Sequence, residues 1–192
     1  IAHRIVPPSY DRSDEQQHRL NIEASKAGLD ELLRLRDETG MRVGTLISYP
    51  LCLLGDLEKY ADFVGRGCPT QRGARFSMNS DGSTHACVME DKAYGNVFEL
   101  GIKKVFSNSK DWRTRAYYAE ECQGCDYIDV CNTGCRMDAF AKTGSMNGVD
   151  PLFVGKEHIV KPFKFELPKE VCSKLEAGAE MTVSSSVRWR FE

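Results

Sequence analysis

The chain has 192 residues, of which 41% are hydrophobic and 28% are charged. This composition supports a packed core and argues against intrinsic disorder. A net charge of −2 argues against a general nucleic-acid-binding protein, which is usually basic. No apolar run reaches the roughly 20 residues that cross a bilayer, and no secretory leader is recognisable. We therefore expect a cytoplasmic protein with neither a nucleic-acid nor a membrane partner.

The first fifty residues predict a strand, a helix and a second strand. Residues 1–6 are apolar, and residues 13–16 (Ser-Asp-Glu-Gln) resemble a capping box that begins a helix. Gly40 is expected to end this helix as a left-handed cap, and residues 41–49 are expected to form the second strand. The buried face of the helix is predicted to contain Leu20, Ala24, Ala27, Leu32 and Leu35. A strand–helix–strand unit belongs to a parallel sheet, and it needs neighbouring strands that this chain does not supply.

Shorter elements are predicted after Pro50. Residues 56–64 indicate a two-turn helix, and residues 75–89 indicate a β-hairpin that turns at Asp81-Gly82. Two further helices are expected at residues 101–118 and 133–143. The alternation of apolar and polar side chains at residues 181–191 indicates a half-buried strand.

Cysteines are the most informative residues of this sequence. There are eight of them: Cys52, Cys68, Cys87, Cys122, Cys125, Cys131, Cys135 and Cys172. In a reducing cytosol thiols stay free, so a dense cluster favours metal ligands over disulfides. Sets of thiolate ligands select zinc or iron–sulfur clusters, and the spacing alone does not separate these two possibilities.

Six cysteines and one glycine form two consecutive motifs, Cys68-x13-Gly82-x4-Cys87 and Cys122-x2-Cys125-x5-Cys131-x3-Cys135. Their order resembles the SPASM domain, an auxiliary iron–sulfur domain of many radical S-adenosylmethionine enzymes. The resemblance implies an α+β fold in three segments. Residues 1–50 would end a partial (β/α) barrel, residues 51–155 would form the SPASM-like domain with a β-hairpin and short helices, and residues 156–192 would be a C-terminal extension.

The resemblance also implies two auxiliary [4Fe–4S] clusters and their ligands. The first cluster would be held by Cys52, Cys68, Cys87 and Cys135. The second would be held by Cys122, Cys125, Cys131 and a later residue, for which Cys172 is expected. Asp150 or an open iron site is the alternative at this last position. No catalytic residue is assigned.

Enzymes of this family mostly modify ribosomally made peptides or proteins. The resemblance therefore implies part of an oxidoreductase that acts on a peptide or protein substrate, with clusters that transfer electrons or bind the substrate. A flavodoxin or ferredoxin is a possible electron donor. The chain contains no CxxxCxxC motif, so we expect S-adenosylmethionine and a third [4Fe–4S] cluster on a missing N-terminal part. By itself the chain should be inactive.

Two other functions fit the cysteines. One is a structural zinc-binding module that mediates protein contacts, and the other is a stand-alone iron–sulfur carrier. Iron and acid-labile sulfide would separate the iron–sulfur functions from the zinc module. The presence of CxxxCxxC in an upstream coding sequence would separate the enzyme from the carrier.

Overall fold

A computed structural model of the chain describes residues 21–65 and 67–160. The predicted first strand, the capping box, Leu20, the C-terminal strand and Cys172 lie outside the described residues.

The helices and strands of the described residues are short, apart from the first helix. In chain order they are α1 (Ile22–Thr39), α2 (Leu51–Leu54), β1 (Ser77–Met78), β2 (Ser83–His85), β3 (Ala93–Asn96), α3 (Val97–Leu100), α4 (Ile102–Asn108), α5 (Ile128–Cys131) and α6 (Arg136–Thr143). Single 3₁₀ turns occur at Ala61–Phe63, Lys110–Trp112, Arg115–Tyr117, Glu120–Cys122 and Lys156–His158.

Contacts divide the described residues into two compact units. The first unit contains residues 21–68, with a gap at 66, and residues 118–160. The second unit contains residues 69–117. The division of the whole chain into a barrel end, an auxiliary domain and an extension stays a prediction.

Helix α1 begins later than predicted and ends where predicted. Asn21 has extended backbone angles (φ −73°, ψ 176°), and its side chain accepts a hydrogen bond of 2.7 Å from the Ala24 N–H. Asn21 is therefore the N-terminal cap of α1, which begins at Ile22. At the other end Gly40 has a φ of 71° and donates its N–H to the Arg36 carbonyl, so the predicted left-handed cap is confirmed.

The buried face of α1 also differs from the prediction. It consists of Ser25, Leu29 and Leu33, which are spaced one turn apart. Ala24 and Ala27 are exposed, whereas Leu32 and Leu35 are half-buried. Alanine has little apolar surface to bury, and Leu29 and Leu33 lie one turn apart on the buried stripe, with Leu32 beside it.

No strand forms at residues 41–49. This segment is irregular, with a single isolated bridge residue at Thr45. A strand buried in a parallel sheet needs partners, and the three strands of the described residues all lie in the second unit. The two-turn helix predicted at residues 56–64 is replaced by turns and the 3₁₀ turn Ala61–Phe63.

The predicted β-hairpin is confirmed in the second unit. Strands β1 and β2 pair antiparallel, with Ser77 opposite His85, and β3 extends them into a three-stranded sheet. The connecting turn contains Asp81, whose carboxylate accepts a 2.8 Å hydrogen bond from the Ser83 N–H. Gly82 follows with a φ of 86°, a conformation that glycine adopts at low cost.

The helix predicted at residues 101–118 stops after α4. The Arg113 guanidinium donates to the Phe106 carbonyl at 2.6 Å, and the Ser109 hydroxyl donates to the same carbonyl at 2.9 Å. These side chains satisfy one of the carbonyls in the last turn of α4, which have no partner within the helix. The 3₁₀ turn Lys110–Trp112 then brings Trp112 into the core, where it is 1% exposed.

Within residues 21–65 and 67–160, no helix combines the length and apolar composition that a membrane crossing requires.

Candidate thiol site

Four cysteine side chains line one pocket of the first unit, which we call the thiol pocket. Cys52 comes from α2, while Cys122, Cys125 and Cys131 come from the segment that ends with α5. The empty space between these side chains, together with open solvent at the mouth, is about 430 Å³. Its other lining residues are mainly apolar: Pro50, Leu51, Ile128, Phe153 and Ile159, with Glu121, Thr133 and Lys156. Two distant parts of the chain therefore supply thiols to one apolar pocket.

Cys52 lies in α2, which is a single buried helical turn. All four residues of α2 are buried, and Cys52 is 7% exposed. Backbone N–H groups of Val154, Gly155 and Leu53 donate to its sulfur and favour the thiolate. Burial is the larger effect and raises the pKa of Cys52 above its ordinary value. The Cys52 thiol is therefore protonated at neutral pH. If it loses its proton, three backbone N–H groups stabilise the thiolate.

Cys122 and Cys125 lie on one tight turn. The Cys125 N–H donates to the Cys122 carbonyl at 3.2 Å, and Gly124 between them has a φ of 70°. The Lys156 ammonium donates to the Gly124 carbonyl at 3.3 Å. This hydrogen bond links the Cys122–Cys125 turn to the 3₁₀ turn Lys156–His158, whose Lys156 also lines the pocket.

A run of left-handed residues turns the chain after Cys131. Asn132, Thr133 and Gly134 have φ values of 53°, 55° and 81°. A β-branched residue such as Thr133 is strained in this conformation. The run delays α6, which begins at Arg136 and not at the predicted Thr133. The predicted end is confirmed, since Gly144 caps α6 with a φ of 76°.

Buried hydrogen bonds hold this left-handed run in place. The Asn132 amide donates to the Tyr118 hydroxyl at 2.8 Å, and the Thr133 hydroxyl accepts from the Ala119 N–H at 3.4 Å. Asn132 and Thr133 are 0% and 2% exposed. The surrounding structure therefore compensates for the backbone strain between Cys131 and Cys135.

Asp150 lies buried against the same turn. It is 2% exposed, and its carboxylate oxygens accept hydrogen bonds from the Cys135 N–H (2.7 Å) and the Leu152 N–H (2.8 Å). A Cβ atom on Gly134 would lie 2.4 Å from Asp150 Oδ2. The glycine is required here both by its backbone angle and by this close approach.

Arg136 is a fully buried cation at the start of α6, with 0% exposure. Its guanidinium donates to three backbone carbonyls, those of Thr133, Met146 (3.1 Å) and Gly148 (2.8 Å). Burial lowers the pKa of Arg136, while Asp150 and the neighbouring thiols oppose this effect. Sequence reasoning did not single out this residue, although a basic residue directly after Cys135 is visible in the sequence.

The pocket disfavours thiolates when no metal is bound. Burial raises the pKa of Cys122 to about 11, with further increases from Cys52 and Cys125 and an opposing effect of Arg136. Burial also raises the pKa of Cys131; this residue is partly exposed as a whole, but protein atoms surround its sulfur. Any metal that binds here must therefore displace protons.

The remaining predicted ligands lie elsewhere or outside the described residues. Cys68 and Cys135 are half-buried in the first unit, whereas Cys87 is buried in the second. The pocket places Cys52 beside the thiols that the resemblance assigns to the other cluster. None of the seven cysteines that the structure describes forms a disulfide bond. Among the described residues, no three His, Cys, Asp or Glu side chains are arranged to enclose a metal ion.

Comparisons of the chain with known protein families, curated proteins and solved structures found no match.

Proposed function

We propose that the chain is an auxiliary iron–sulfur portion of a radical S-adenosylmethionine enzyme that modifies a peptide or protein. In this proposal one [4Fe–4S] cluster is held by Cys52, Cys122, Cys125 and Cys131. The observation that carries it is the shared pocket of these four side chains. This ligand set replaces the one implied by the resemblance, in which Cys52 belongs to the other cluster.

The residues of the thiol pocket fit such a cluster in their chemistry. Thiolates are the usual ligands of [4Fe–4S] clusters, and backbone N–H groups already donate to Cys52. The apolar walls limit the access of water to the site. A bound cluster would supply one-electron transfer.

Binding requires a local rearrangement. The four described thiols share a pocket without enclosing an ion, so ligation must draw their sulfurs together. A metal that does this supplies folding free energy to a segment with short helices and little regular structure. The protonated thiols also make binding depend on pH, because ligation releases protons.

The rest of the proposed enzyme depends on the resemblance. Cys68, Cys87 and Cys135 stay predicted ligands of a second cluster, with Cys172 available as a further ligand. The peptide substrate, the electron donor and the S-adenosylmethionine site stay predictions as well.

Metal and sulfide analysis tests the proposal. The full chain is purified without oxygen, or reconstituted with iron and sulfide, and its iron, zinc and acid-labile sulfide are measured. We expect iron and sulfide in equal amounts, about eight of each per chain if both clusters form and about four if only the thiol pocket is filled. Cys122→Ser should lose about four of each. Zinc without sulfide would overturn the iron–sulfur proposal and support the zinc module.

A further inference from the structure

Two buried charges of opposite sign flank the turn that links Cys131 to α6. Arg136 is 0% exposed and Asp150 is 2% exposed. The carboxylate is tied to the backbone of Cys135, and the guanidinium to three carbonyls around the same turn. One of these three carbonyls belongs to Thr133, which lines the thiol pocket, so the guanidinium is held beside the pocket. The carboxylate is held at Cys135, directly before α6.

The position of Arg136 is unfavourable unless an anion lies nearby. Burying a guanidinium costs free energy, and the N-terminal end of a helix disfavours positive charge. Three carbonyls offset part of this cost. Asp150 and the sulfurs of Cys122, Cys131 and Cys135 are the negatively charged or ionisable groups that favour the cation.

We propose that Arg136 and Asp150 set the reduction potential of the cluster held in the thiol pocket, with opposite effects. This inference depends on the proposed function. Reduction adds an electron to the cluster, so a nearby positive charge favours it and a nearby negative charge opposes it. Because both groups are buried, water and salt screen them far less than they screen a surface charge.

Redox titration of the reconstituted full chain tests the assignment. Arg136→Gln removes the positive charge and should shift one component of the titration to a more negative midpoint potential. Asp150→Asn removes the negative charge and should shift that component to a more positive potential. Arg136→Lys keeps the positive charge but cannot bind all three carbonyls in the same geometry. Its midpoint potential should therefore lie nearer to that of the unmodified protein than the potential of Arg136→Gln does.

Matched surface variants separate this effect from a change in overall charge. Lys142→Gln removes an exposed cation from α6, and Asp37→Asn removes an exposed anion from α1. The surface variant that removes a cation should shift the potential less than Arg136→Gln, and the one that removes an anion should shift it less than Asp150→Asn.

The outcomes distinguish the two proposals. If the unmodified chain binds no cluster, the proposed function fails. If the cluster forms but Arg136→Gln and Asp150→Asn leave its potential unchanged, only the role of the charged pair is overturned. A purely structural role predicts lower stability with an unaltered potential. If Arg136→Gln does not fold, Asp150→Asn decides the question, and the absence of a positive shift refutes the inference.

Discussion

The contact between Gly134 and Asp150 predicts a large loss of stability for Gly134→Ala. A Cβ atom at this position would lie 2.4 Å from Asp150 Oδ2, and the backbone has a φ of +81°. Left-handed backbone costs a residue with a Cβ about 1–2 kcal/mol. Displacing the carboxylate would also disturb its hydrogen bond with the Cys135 N–H, and a bond to a charged group contributes about 1.5–3 kcal/mol. We therefore expect a fall of about 2.5–5 kcal/mol in the free energy of unfolding.

Gly144→Ala is the matched control for this variant. Gly144 has a φ of +76°, and a Cβ atom added to it would have no neighbour within 4 Å, so only the backbone cost applies. Its expected cost is about 1–2 kcal/mol. Urea unfolding of the metal-free protein, followed by circular dichroism, measures both variants. Equal costs for the two glycines would refute the role of Asp150. The account expects their difference to become smaller in an Asp150→Ala background, which keeps only the Cβ atom of residue 150, at 3.0 Å.

Three further predictions concern the metal-free protein. Burial raises the pKa of Cys122 from 9.0 to about 11, so the unfolded chain loses this proton first as the pH rises. The free energy of unfolding should then fall between pH 9 and 11, by about 1–2 kcal/mol after allowance for solvent screening; a fall that is unchanged in Cys122→Ser contradicts this assignment. Trp112→Phe removes the indole N–H that donates to the Tyr94 hydroxyl (3.1 Å) and to the Glu90 carboxylate (3.3 Å), and it should cost about 1–3 kcal/mol by thermal unfolding. Asn132→Gly should be less destabilising than Asn132→Ala, because glycine tolerates the φ of 53°; the reverse order in urea unfolding would count against strain at this position.

Features set by local chemistry were predicted well from the sequence. The end of α1 at Gly40 and the hairpin turn at Asp81-Gly82 depend on residues within one turn of each other. Such signals are complete in the sequence, because glycine and aspartate act through their own backbone and near neighbours. The strand predicted at residues 41–49 depended instead on partner strands, and none is present for it in the described residues.

The thiol pocket was only partly predictable. The motif identified Cys122, Cys125 and Cys131 as close neighbours, since their spacing confines them to adjacent turns. The position of Cys52 depends on how α2 packs against α1 and the turn Lys156–His158, and sequence spacing does not predict this packing. The contacts of Arg136 are also tertiary, since its guanidinium binds carbonyls of a loop that follows α6.

The division of cysteines between sites can be measured most directly with two minimal variants of the full chain. The first retains Cys52, Cys122, Cys125 and Cys131, and the second retains Cys172 in place of Cys52; all other cysteines are serine. After anaerobic reconstitution, the account predicts about four iron and four sulfide in the first variant and a much lower content in the second. A complete cluster in the second variant and none in the first would contradict the assignment of Cys52.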